Sequence, residues 1–244
     1  MNIKLEQMPS KIEFQTIKLQ KELSKKVISK NFLPKKIKTV CGVDVSYKEN
    51  FAFCTAIIMN TSNLNIQETV RFSQKVSHPY IPGLFMLRES EPILNVLKKV
   101  KTDFDILLID GHGKLHPRLC GIACYIGILA NKPTIGVAKK ILCGTVKADS
   151  KVEYNGKILG FELKNNKKKI YVSVGHKINL KSAIIIVKQL ILEGKWYPEP
   201  LRLADSDSKI FKNDFCKVKN QKSNNTTHTK LGKYTKATDS ISKV

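Results

Sequence analysis

The stretch 105–118, DILLIDGHGKLHPR, constrains the fold more than any other part of the chain. Four consecutive apolar residues, 106–109, predict a short strand buried on both faces, as in the middle of a parallel sheet. The strand ends on a carboxylate, Asp110, and Gly111-His112-Gly113 follows. Glycines there let the backbone turn sharply and approach a ligand closely. An acid at the carboxyl end of a central strand sits where open α/β sheets bind ligands. Taken alone, Asp110 is either a turn cap or a ligand-facing acid, and its partners elsewhere in the chain decide between the two.

Ahead of it, Ser10 and Glu13 form a capping box after Pro9. The helix it starts should carry Ile12, Leu19, Leu23 and Val27 on one face and end before Pro34. Three strands are expected over 37–47, 51–59 and 66–76, and their short links favour an antiparallel meander. HPYIPG, 78–83, is a proline-bracketed loop. A helical pattern over 84–100 should break at Pro92, which opens a second helix. After the strand of Asp110 come a glycine-dotted helix over 119–130, a buried strand over 133–138, and Lys139-Lys140. Segments 157–163 and 169–174 predict a hairpin around Asn165-Asn166, and 180–193 an apolar helix stopped by Gly194. Residues 211–244 are poor in apolar side chains and rich in Lys, Asn, Ser and Thr. They are expected as a disordered basic tail beyond a single domain spanning 1–210.

This order makes the fold class α/β: a three-strand antiparallel meander plus parallel strands in one mixed sheet, flanked by helices. A right-handed crossover puts the fourth strand beside the first and parallel to it. Asp110 then neighbours Asp44 across a strand spacing of about 4.8 Å. Two carboxylates that close repel, and buried together they need a cation. Magnesium held by one or two carboxylates and by substrate phosphate oxygens is a common solution.

The net charge of +23 points to a polyanionic partner, most simply nucleic acid, although a lysine-rich proteome gives the same excess. Cys41, Cys54, Cys120, Cys124, Cys143 and Cys216 include no CxxC pair and no histidine at zinc spacing. They are expected as small hydrophobes of a reducing compartment. No apolar run approaches the roughly 18 residues of a membrane span, and MNIKLEQMPS lacks a signal peptide's apolar core. The expectation is a soluble cytoplasmic protein with no membrane contact.

Five segments carry a resemblance: GVDVSY (42–47), PYIPGLFMLRE (79–89), LLIDGHGKLHPRLCGIACYIGIL (107–129), PTIGVAKKILCG (133–144) and PEPLRLAD (198–205). In this order they resemble the signature blocks of endonuclease V, a family that cleaves nucleic acid near inosine, the product of adenine deamination. The resemblance covers about residues 10–210 and implies a ribonuclease-H-like fold, in agreement with the sheet order above. It implies that Asp44 and Asp110 are metal ligands, that Glu89 is the third acid, and that Asp205 stands near the metal. The implied cofactor is Mg2+, with Mn2+ able to replace it. Phosphodiester hydrolysis needs an activated water, a neutralised phosphate oxygen and a stabilised leaving oxyanion, which such ions supply. The implied catalytic set is Asp44, Glu89, Asp110, His116 and Lys139. Lys139 would counter charge on the scissile phosphate, and His116 would assist proton transfer or hold the phosphate. Tyr80, with Pro79, Ile81 and Pro82, would form a wedge that stacks where a base has left the helix. Backbone around Gly83, Gly111, Gly121 and Ile122 would form the pocket that tells hypoxanthine from adenine. Without the resemblance Asp205 is a cap or a surface charge, Tyr80 a half-buried aromatic and His116 structural; Glu91 is solvated and His112 unassigned.

The implied activity is cleavage, by a monomer, of the second phosphodiester 3′ to inosine, leaving 3′-hydroxyl and 5′-phosphate ends. DNA is the first expectation for the substrate and RNA the alternative. A nucleic-acid-binding protein that no longer cuts is disfavoured, because the acids and Lys139 are all present. A dinucleotide-binding loop at GHG fails, because Asp110 opposes a pyrophosphate and the full glycine fingerprint is missing. The tail, with eight lysines and two aspartates, would add salt-sensitive affinity.

Overall fold

A computed structural model describes residues 10–81, 83–165 and 167–215. The capping box forms as expected: the Ser10 N–H donates to the Glu13 carboxylate and the Glu13 N–H to Ser10 Oγ, starting α1 (Lys11–Ser24). The buried face of α1 is only partly the expected one: Leu23 is buried and Val27, just beyond the helix, packs against the same core. Thr16, Gln20 and Leu23 point inward, while Ile12 and Leu19 are exposed. The helix lies against polar loop backbone, and Gln20 satisfies it by donating to the Cys120 carbonyl at 3.0 Å. A search for apolar periodicity passes over such a face.

The antiparallel meander consists of β1 (Thr39–Lys48), β2 (Phe51–Asn60) and β3 (Ile66–Lys75). α2 (Met86–Leu97) runs through Pro92 without the expected break. A proline there removes the donor to the Arg88 carbonyl, and the Tyr47 hydroxyl reaches that carbonyl instead, at 3.5 Å. β4 (Ile106–Asp110) lies parallel to β1, with Val43 opposite Ile109. Asp105 sets this register: its carboxylate accepts the Lys38 and Thr39 N–H groups at 2.7 and 3.1 Å.

α3 (Ile122–Ala130) and β5 (Thr134–Ala138) follow, β5 lying parallel to β4. Two short strands at the far edge, β6 (Thr145–Val146) and β7 (Lys151–Tyr154), were not anticipated. β6 is only two residues long, and β7 offers a single polar–apolar alternation, Lys151 to Tyr154, with only Val152 fully buried. β8 (Lys157–Asn165) and β9 (Lys168–His176) form the expected hairpin, β9 antiparallel to β5. The sheet order is β3-β2-β1-β4-β5-β9-β8-β7-β6. α4 (Leu180–Gln189) ends before Gly194, which sits instead in a later turn at φ +71. The last described helix, α5, covers 199–215. The boundary expected after residue 210 therefore falls inside a helix, and Phe211 and Phe215 pack their rings on Phe53 at 5.5 and 5.2 Å. Residues 216–244, with the rest of the expected tail and Cys216, lie outside the described residues.

β4 is buried on both faces because its side chains alternate between two cores. Ile106 and Leu108 join Val40, Ile135 and Val137 beneath α4 and α5; Leu107 and Ile109 join Cys41, Val43, Ile93 and Ile126 beneath α2 and α3. Each side chain so buried contributes about 1.5–3 kcal/mol of transfer free energy. The five described cysteines are free, and all but Cys143 are buried. Among the described residues no helix is long and apolar enough to cross a membrane.

Candidate active site

The register of β1 and β4 brings Asp44 and Asp110 out together at the carboxyl edge of the sheet. Asp44 is 9% exposed, and Ser208 of α5 donates to its Oδ2 at 2.9 Å. Burial first, then the charges of Asp110 and Asp205, push the Asp44 carboxyl up to about 6, against the pull of Ser208 and Lys139. Glu89 enters from the first turn of α2 and is buried. Burial, then Asp44 and Asp110, raise it well above the usual carboxylate range, while the Tyr47 hydroxyl and Arg88 pull it back. Arg88 lies over the Tyr47 ring, 4.1 Å from its centroid, so α2 is pinned to β1 beside Glu89.

The fourth acid, Asp205, reaches the group because α5 crosses β1 at Gly42, where any Cβ would stand 2.5 Å from the Pro200 backbone. Lys209, one turn further on, pairs with Asp205 at 2.6 Å. Lys139 follows β5 and donates to Asp110 Oδ2 at 2.6 Å. Burial lowers the Lys139 ammonium's proton affinity, but Asp110, Asp205 and Asp44 outweigh it, so the net shift is upward and the lysine stays charged. The charges of Asp110 and Asp205 add to the effect of burial on Asp44, and those of Asp44 and Asp110 to its effect on Glu89. Even so, among the described residues no group of three or more His, Cys, Asp or Glu side chains is arranged to hold a metal ion as it stands.

These side chains open onto a cavity of about 630 Å³, whose lining includes Asp44, Glu89, Asp110, His116, Lys139 and Asp205. Tyr80, Gly83, Gly111, Gly121 and Ile122 line it too. Pro79 and Ile81 do not, and Pro82 lies outside the described residues. Tyr80 is 57% exposed, with its ring edge-on to Phe85 at 5.8 Å.

His116 has no free nitrogen. Its Nδ1 accepts the Arg118 N–H at 3.1 Å, which puts the ring proton on Nε2, 3.1 Å from the Gly83 carbonyl. Burial, and then the Arg118 charge, depress the imidazole to about 4, so it is neutral near pH 7. In this arrangement it is a strut between the HPR turn and the tyrosine loop. The Gly83 carbonyl also accepts from Arg118 at 2.6 Å and from Gln20 at 3.3 Å. His112 Nε2 meets the Lys140 carbonyl at 2.9 Å, and its Nδ1 is buried without a partner.

The profile of the endonuclease V family matches residues 21–206. The chain belongs to the endonuclease V family. It is 42% identical over 191 residues to endonuclease V of Pyrococcus abyssi, covering 78% of this chain and 88% of the relative. The Thermofilum pendens protein is 39% identical over 191 residues, covering 76% and 82%. Among solved structures, Bacillus subtilis endonuclease V superposes with a TM-score of 0.77 at 28% identity, covering 87% of this chain and 96% of that one. Endonuclease V of Ciona intestinalis, in complex with a 24mer DNA containing an inosine followed by a ribo-adenosine, also gives 0.77, at 27% identity and 86% and 100% coverage.

Four residues outside the expected site of this endonuclease V support it. Gln20, Tyr47 and Ser208 hold Gly83, Glu89 and Asp44 respectively. The buried Tyr197 puts its ring 4.8 Å from the Lys139 ammonium, and its hydroxyl faces the Asp110 carboxylate. Ser208, three residues after Asp205, had a signal in the sequence, since i and i+3 share a helix face. Gln20 and Tyr197 had none.

Proposed function

We propose that this endonuclease V is a metal-dependent nuclease that recognises inosine and hydrolyses the second phosphodiester on its 3′ side, leaving 3′-hydroxyl and 5′-phosphate ends. The observation that carries this reading is the convergence of four carboxylates and three lysines, Lys139 among them, on a single cavity rimmed by a glycine turn and an exposed tyrosine. Asp44, Glu89, Asp110 and Asp205 would hold magnesium or manganese, since an all-oxygen donor set fits a hard divalent cation. The mutual repulsion that raises Asp44 and Glu89 is relieved by such a charge. When bound, it supplies an activated water and neutralises charge on the phosphate and leaving oxygen.

The remaining steps belong to the chain itself. Lys139 turns its ammonium from Asp110 toward a phosphate oxygen, where it stabilises developing charge. Tyr80 offers an aromatic face for stacking at the gap left by an extruded base. Gly111, Gly121 and Ile122 line the wall against which that base is read; the two glycines are required by the chain's own packing, since a Cβ on Gly111 would meet the Ile122 side chain at 2.6 Å and one on Gly121 the His112 carbonyl. Ser208 and Tyr47 orient two of the acids. His116 holds the tyrosine loop on the HPR turn.

Inosine as the lesion is supported by the Ciona intestinalis complex, whose ligand also carries a ribo-adenosine after the inosine. RNA is therefore the second reading. The test is cleavage of single-inosine oligonucleotides, supplied with magnesium as duplex DNA, single-stranded DNA and RNA, with the products mapped. Cutting one bond removed from inosine on its 3′ side is the expected result. Failure to cut all three, or equal cutting of adenine controls, refutes the proposal.

A further inference from the structure

A second basic feature lies beside the catalytic cavity and outside every family block quoted above. The β8–β9 turn carries Lys164, Lys167, Lys168 and Lys169, and the loop between α4 and α5 brings Lys195 and Trp196 against it. Asn165, Lys167, Lys168, Gly194 and Trp196 enclose a cleft of about 410 Å³. The two segments are tied together. Asn165 Nδ2 donates to the Lys195 carbonyl at 2.6 Å, and the Lys168 ammonium stands 4.9 Å from the Trp196 ring centroid. Lys164 and Lys169 share the buried carboxylate of Glu162, at 2.9 and 3.5 Å. Among the described residues Lys167, Lys168 and Lys195 have no carboxylate partner, and the nearest acid in sequence on the loop is Glu193.

Strand register places this ledge. Asp110 is opposite Val137, Ala138 is opposite Tyr171, and β9 begins three residues before Tyr171, at Lys168. The hairpin therefore runs roughly 10 Å past the end of β5, and two strand spacings from β4, again roughly 10 Å, to one side. Asp110 is level with Val172 through Val137, four residues from Lys168, so the direct separation is roughly 17 Å, about five nucleotides along a duplex axis at 3.4 Å of rise each. Trp196 is no free stacking platform, because Lys168 covers it and Tyr197 packs 5.2 Å away. Ammonium groups without carboxylate partners fit phosphates as point charges.

We propose that Lys167, Lys168 and Lys195, beside Trp196, form a phosphate-backbone subsite for nucleic acid flanking the cleaved bond by about five nucleotides. It deepens the nuclease reading above and rests on it. It contributes affinity that is salt-sensitive and indifferent to the lesion.

The test compares the full chain with a Lys167→Ala/Lys168→Ala variant; both side chains are exposed, so folding should be retained and is checked by circular dichroism. Binding is measured across a salt series on a long duplex and on duplexes cut to about three nucleotides on either side of the scissile bond. Wild-type protein should lose affinity when one flank is cut. The variant should bind the long duplex as weakly as the cut one, with the salt slope reduced by about two. Turnover of the cut inosine substrate should be unchanged. A variant with the wild-type salt slope and flank dependence overturns the subsite. All binding is run on adenine and inosine duplexes in parallel. Equal wild-type binding of the two would count against the inosine reading, yet leave the flank comparison readable.

Discussion

Gly136→Ala should disable the site from inside the sheet. Gly136 lies on β5, between Ile109 of β4 and Ser173 of β9. A Cβ there would stand 2.6 Å from both the Gly111 carbonyl oxygen and the Gly113 nitrogen, and 2.9 Å from the His112 carbonyl carbon. All three atoms are backbone of the turn after Asp110, so no side chain can swing away. Ordinary contact begins near 3.4 Å, and the turn must withdraw by about 0.8 Å. It is held on the other side: the Gly111 N–H donates to the Val137 carbonyl at 3.0 Å and the Gly113 N–H to Ser173 Oγ at 2.9 Å. Overpacking of this kind costs about 1–3 kcal/mol, or roughly 2–4 °C of Tm per kcal/mol in a domain of this size. Because Gly111 follows Asp110 directly, a shift near 1 Å should also lower nicking about 100-fold. Gly156→Ala is the control. It meets nothing within 4 Å and is opposed only by its φ of +70, so it should lose about 1 kcal/mol with full activity. Thermal melts and single-turnover nicking read both effects. A Gly136→Ala protein with wild-type melt and wild-type nicking refutes the packing argument.

Three further outcomes follow from the same contacts. His116 is neutral in the fold down to about 4, whereas the unfolded chain protonates it near its ordinary value. Its contribution is complete above that ordinary value and is lost as pH falls toward 4, by up to about 3 kcal/mol; urea melts of His116→Asn should show a correspondingly flatter acid slope, and an unchanged slope contradicts this. Ser208→Ala removes a donor from the Asp44 carboxylate, so the acid limb of the pH–rate profile should move to higher pH, and a limb that stays put argues against the contact. Tyr197→Phe keeps the ring near Lys139 and removes only the hydroxyl that faces Asp110, whereas Tyr197→Leu removes the ring as well and should lower kcat about tenfold relative to Tyr197→Phe. Equal kcat for the two variants would remove the ring's role.

The central juxtaposition was legible because it depends on strand-level signals. The run 106–109, the short links of the meander and the right-handed crossover suffice to bring Asp110 beside Asp44, and the register bears this out. The family blocks then identify Glu89, Lys139 and Asp205, which share one cavity with them. What escaped was set by tertiary contacts. Gln20 is buried against carbonyls rather than apolar groups, so hydrophobic periodicity found Leu23 but placed Ile12 and Leu19 inward in place of Thr16 and Gln20. Pro92 stays inside α2 because a tyrosine from another element caps the orphaned carbonyl. Phe211 and Phe215 did carry a signal, two aromatics at helical spacing, which the polar composition around them masked.

The most direct measurement is magnesium-supported nicking of a duplex with one inosine, by wild-type protein and by Asp110→Asn in parallel, with binding followed on the same duplex. The account predicts a single cut by the wild type at the second phosphodiester 3′ to inosine and none in the adenine control. Asp110→Asn should bind the duplex and leave it whole. Cutting by Asp110→Asn at the wild-type rate would contradict the assignment of Asp110 to the catalytic centre.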